Sequence, residues 1–79
     1  MNIVRQVEIF DNLTDKWVQD IPIDSFDLEI FKNRFPIKYG DTLMYDPYKI
    51  TTSNMDLFPK IKFEFEKYSY YIACYQADT

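Results

Sequence analysis

Seventy-nine residues with 47% apolar side chains, fifteen aromatics and one glycine make a single folded domain rather than a disordered chain. There is no histidine, which removes the commonest acid–base residue and metal ligand, and one cysteine excludes both an internal disulfide and a cysteine-rich zinc site. A net charge of −4 disfavours phosphate backbones and favours basic partners, although it also suits ordinary solubility.

The chain opens with a period of two. Ile3, Val7 and Ile9 fall on one face, interrupted by Arg5, while Val4, Gln6 and Glu8 take the other. Turn-formers follow in Asp11-Asn12-Leu13-Thr14-Asp15, and Trp17 to Ile23 reads as the return strand of a hairpin. Pro22 has no amide to donate to a ladder, so the return strand is expected to be an edge there or to end there. Asp24 is the expected N-cap of a helix over about Ser25 to Arg34, with Leu28, Phe31 and Phe35 at helical spacing and Pro36 as the stop.

Residues 36–50 form an irregular stretch with turns at Gly40-Asp41 and Asp46-Pro47. The hydroxyls of Thr51, Thr52 and Ser53 are offered as caps for a short helix over Asn54 to Phe58. From Ile61 the sequence alternates again, with Ile61, Phe63 and Phe65 opposite Lys62, Glu64 and Glu66. From Tyr68 to Tyr75 it is apolar on both faces, as suits a central strand. These two runs are expected to pair, turning near Glu66–Tyr68, and Gln76 to Thr79 are expected to fray. The expected fold is α+β: a small, mainly antiparallel sheet (N-terminal hairpin plus C-terminal strand pair) with one long and one short helix packed on it.

No catalytic group, metal site or cofactor is expected. Glu64 and Glu66 share a strand face, but alternation places charges there without any chemistry. Asp11, Asn12 and Asp15 lack the glycine and terminal glutamate of a calcium loop. Cys74 lies in an apolar run and reads as a small buried hydrophobe. Tyr68, Tyr70 and Tyr71 could stack bases, but beyond Lys67 nothing basic is interleaved with them, and core packing accounts for them better.

The stretch holding Tyr39, Asp41, Tyr45, Asp46 and Tyr48 places aromatics and carboxylates on one loop. Such a loop can anchor a protein interface and pair with Arg or Lys. Alternatively, Tyr45 and Tyr48 plug the sheet edge while the aspartates start turns. The longest apolar run is Tyr70 to Tyr75 and no apolar stretch follows Arg5. No signal peptide or membrane span is therefore expected, and the default compartment is a reducing cytoplasm.

Three segments together carry a family resemblance. They are Val7-Glu8-Ile9-Phe10-Asp11 with its return strand, Leu43-Met44-Tyr45-Asp46-Pro47-Tyr48-Lys49-Ile50-Thr51, and Phe63 to Tyr75 with its closing Tyr-Tyr-Ile-Ala-Cys-Tyr. The chain resembles small bacterial immunity proteins of polymorphic toxin systems, including those of contact-dependent growth inhibition. That resemblance implies a non-enzymatic cytoplasmic antidote, monomeric or weakly dimeric, bound to the C-terminal domain of a cognate toxin, often a basic nuclease. The acidic charge and the lack of a long apolar run argue against direct contact with nucleic acid or membrane. The resemblance supplies no contact residues. Those expected to face the partner, from charge and aromatic content, are Tyr39, Asp41, Tyr45, Asp46, Tyr48, Glu64 and Glu66. A rival reading is an interaction or regulatory module that works through a sheet edge or a homo-oligomer. A sheet-based RNA binder ranks last on charge.

Overall fold

A computed structural model of the chain describes residues 2–77. Four antiparallel strands form one sheet: β1 (Asn2–Asp11), β2 (Trp17–Pro22), β3 (Tyr48–Lys49) and β4 (Tyr68–Ala77), in the order β2-β1-β4-β3. Among the described residues a single α-helix, α1 (Leu28–Arg34), completes the α+β fold. None of the helices in residues 2–77 is long and apolar enough to cross a membrane.

The N-terminal hairpin forms as its alternation predicts. Its register runs Gln6↔Pro22, Val7↔Ile21, Glu8↔Asp20 and Ile9↔Gln19, then shifts so that Phe10 faces Trp17. Pro22 lies at the end of an edge strand, where its missing amide costs nothing. Asp11 closes the turn by accepting from the Leu13 and Thr14 amides at 2.8 and 3.1 Å.

Four expectations are corrected. Ile61 to Glu66 is not a strand, so there is no C-terminal strand pair. β4 already has neighbours on both edges: β1 pairs along its whole length, and β3 pairs at Tyr48↔Ile72 and Lys49↔Tyr71. With the Ile50 amide bonded to the Tyr70 carbonyl, the edge of β4 at residues 70–72, where a hairpin from residues 61–66 would have to pair, is taken. Instead the stretch crosses the core, and Phe63 and Phe65 both pack edge-on against Tyr70. The Glu64 amide donates to the Tyr70 hydroxyl at 2.9 Å. Alternation reported the in-and-out burial correctly, but a ladder also requires an available partner.

The second helix is also absent. Met55–Leu57 form a single 3-10 turn, and no side chain caps it. Thr51 Oγ1 accepts from the Ser53 amide instead, and buried Asn54 turns back to accept from the Thr51 amide and to donate to the Arg34 carbonyl. Helix α1 begins at Leu28, capped by Asp27 rather than Asp24: the Asp27 carboxylate accepts from the Ile30 amide at 3.2 Å. The Ile23 amide donates to the Arg5 carbonyl, extending the sheet contact past Pro22, and the first helical carbonyl to accept is that of Asp27, from the Phe31 amide. Phe35 is extended, as a residue before proline must be, and ends α1. Gln76 and Ala77 belong to β4 rather than fraying, while Asp78 and Thr79 lie outside the described residues.

The core lies on one side of the sheet only. Val7 and Ile9 of β1, Tyr48 of β3 and Tyr70 and Ile72 of β4 share one face and are buried with Phe31, Phe35, Met44, Ile50 and Phe58. Phe31 joins the layers, meeting Phe26, Phe35 and Phe58 at centroid distances of 4.7 to 6.1 Å. No residue on the opposite sheet face is buried among those described.

Candidate functional site

Two surfaces carry aromatic and acidic side chains together: the loop before β3 and the uncovered face of the sheet. The loop is built around Asp41. Its carboxylate accepts from the Tyr48 hydroxyl at 2.5 Å and from the amides of Tyr45 and Asp46 at 2.8 and 3.1 Å. The Tyr48 hydroxyl bond, then the two amides and the charge of Arg5, hold the Asp41 carboxyl below its usual range against the opposing effect of burial. Burial first, and then the neighbouring carboxylate, push the Tyr48 hydroxyl above its ordinary value. Gly40 turns the chain just before, with φ +86°, a left-handed conformation that suits glycine.

Arg5 fastens the same loop from the sheet. Its side chain breaks the apolar face of β1 because the guanidinium donates to the carbonyls of Leu43 and Met44. It lies 4.1 Å from the Phe26 ring centroid and 5.6 Å from that of Tyr45. These bonds hold Met44, whose φ of 54° is uncommon for a non-glycine residue, with its side chain in the core.

The expected contact residues therefore divide. Tyr48 is 4% exposed and supports the loop from beneath, and Asp41 is engaged internally. Tyr39, Tyr45 and Asp46 are exposed, with Asp46 3.7 Å from the Lys38 ammonium. Glu64 and Glu66 are exposed but lie elsewhere, Glu64 being 3.7 Å from Lys67. Glu64 is tied to Tyr70, whereas the Tyr45 carbonyl accepts from Cys74. Four residues of strand, roughly 13 Å, separate those two anchor points. The loop and the glutamates do not form one patch. Nor do the three tyrosines considered for base stacking, since Tyr70 is in the core and Tyr71 is on the other face.

The uncovered face presents Val4, Gln6, Glu8 and Phe10 from β1, Trp17 and Asp20 from β2, and Tyr71, Ala73 and Tyr75 from β4. Phe10 and Tyr71 meet edge-to-face at 5.8 Å and 79°. Trp17 is 58% exposed, and its indole N–H donates to Asp20 at 2.7 Å. Glu8 accepts from Gln6 at 3.1 Å. Glu8 and Asp20 are direct cross-strand partners, an arrangement in which two negative charges repel. Neither carboxylate makes an ion pair among the described residues. A shallow depression of about 350 Å³ lies on this face, lined by Glu8, Phe10, Asp15, Pro47, Ser69 and Tyr71. Sequence reading placed Val4, Gln6 and Glu8 together but missed the site, because nothing in the alternation says that one face stays uncovered.

A four-stranded antiparallel sheet covered on one side, with aromatics and carboxylates on the other, defines a small α+β domain with an open sheet face. The chain belongs to the family described as Domain of unknown function (DUF7683), whose model matches residues 4–73. No curated protein and no solved structure matches it.

Proposed function

We propose that this chain is a non-catalytic immunity protein that binds a bacterial toxin domain and covers its basic substrate cleft. The observation that supports the reading best is the open sheet face, where Phe10, Trp17 and Tyr71 flank the carboxylates of Glu8 and Asp20 on a chain of net charge −4. Aromatic residues make interface anchors, and acidic surfaces steer basic partners into fast encounters. The exposed Tyr39, Tyr45 and Asp46 form a second, smaller contact area on the loop before β3. Co-expression with the toxin domain encoded beside it should restore growth and yield a complex that survives purification. A pair that neither protects nor co-purifies refutes the proposal.

A second reading draws on β2, an edge strand whose residues Trp17 to Asp20 are all exposed. Such an edge can add a strand from another chain or from a second copy. Size in solution separates the two, because a tight homo-oligomer indifferent to any toxin favours strand addition.

A further inference from the structure

We infer that the depression on the open sheet face is a binding site for one arginine side chain of a basic partner protein. This deepens the proposed function and rests on its claim that the partner is basic. The depression combines two carboxylates, Glu8 and Asp15, with the rings of Phe10 and Tyr71, and no Lys or Arg is among the residues that line it. A planar guanidinium stacks on aromatic faces and bonds carboxylates in pairs, which a lysine ammonium cannot do equally well.

Charge points to the same occupant. Glu8 stands directly across from Asp20, so a cation arriving at Glu8 also relieves a like-charge pair. Lys49, the cross-strand partner of Tyr71, makes no ion pair with Glu8, Asp15 or Asp20. The molecule shows the chemistry once already on its covered side. There Arg5 lies over Phe26 and donates to two carbonyls. The depression on the open face supplies rings and carboxylate oxygens with no Lys or Arg among its lining residues.

The test uses the whole chain and two small probes, N-acetyl-arginine methylamide and its uncharged citrulline counterpart. Titration of the arginine probe into an amide NMR sample should shift Glu8, Phe10, Ser69 and Tyr71 and saturate, while citrulline should leave them in place. Glu8→Gln and Asp15→Asn should each weaken binding about threefold, the range of an exposed ion pair. Asparagine tolerates the left-handed conformation at position 15, where φ is 59°, so the second variant keeps the turn. Glu29→Gln, on the helix across the sheet, should bind as the parent does. Shifts elsewhere, equal response to citrulline, or no response to either probe overturn the inference. If the arginine probe fails while the chain still protects against a toxin, the depression is refuted and the immunity reading survives. If the probe binds but no toxin domain is held, the arginine site stands and the immunity reading falls.

Discussion

The two faces of the sheet carry similar side chains in opposite circumstances. On the covered face, the cation of Arg5, the carboxylate of Asp41 and the hydroxyl of Tyr48 are all satisfied by neighbours within the chain. On the open face, Glu8 and Asp20 have one neutral donor each, and Phe10, Trp17 and Tyr71 are only partly covered. Polar groups that meet inside the fold stabilise it, whereas those left facing water remain available to another molecule. Charge and aromatic content alone do not distinguish the two. What distinguishes them is whether a loop or helix packs over the strand.

The sharpest test of that contrast compares adjacent residues of β4. Ile72→Ala on the covered face should lower unfolding free energy by about 2–5 kcal/mol, because a fully buried side chain leaves a cavity. In a domain of this size that is a large share of roughly 4–12 kcal/mol in total. Arg5→Ala should cost about 1–3 kcal/mol through two lost charged hydrogen bonds and the unclamped loop at Leu43 and Met44. Tyr71→Ala on the open face should cost only about 0.5–1.5 kcal/mol, the scale of its pairing with Phe10, while weakening partner binding at least tenfold. Urea unfolding midpoints and pull-down titrations read both quantities. A Tyr71→Ala variant as unstable as Ile72→Ala would erase the distinction between the faces.

Titration sharpens the comparison further. Asp41 has its folded-state pKa below the unfolded value, so its contribution is complete above about pH 4 and is lost as the pH falls through the folded value. Tyr48 is shifted the other way. Its contribution is complete below about pH 10 and is lost as the pH rises through its raised folded value. Asp41→Asn should therefore flatten the acid limb of the stability profile and speed hydrogen exchange at the Tyr45 and Asp46 amides. The smallest effect is expected at Glu66. Glu66→Gln should leave the urea midpoint unchanged, since its exposed side chain makes no hydrogen bond or ion pair among those described.

The interior was legible wherever the pattern was local. The hairpin follows from alternation on both sides of a turn-rich pentapeptide, and α1 ends where Pro36 forces Phe35 out of helical geometry. The loop before β3 was half legible. Its residues stand out in the sequence, but whether Asp41 and Tyr48 face a partner or support the turn does not, and each is the other's hydrogen-bond partner. A Tyr–Asp pair seven residues apart has the same composition whether it points into the fold or away from it. The open face was the least legible, because its members come from three strands and share no sequence motif.

Sequence by itself determined the class: an acidic α+β domain without histidine, with an N-terminal hairpin, a helix and a densely apolar last strand. Those features depend on periodicity, turn chemistry and composition, all of which act over a few residues. Tertiary structure alone decided that β1 and β4, the first strand and the last, pair along ten residues and fill both interior positions of the sheet. With β3 on the remaining edge of β4 at residues 71 and 72, Ile61–Glu66 has no ladder there and becomes a cover for Tyr70. The same arrangement left Phe10, Tyr71 and their carboxylates facing outward, because the helix and loops of the described residues cover only one side.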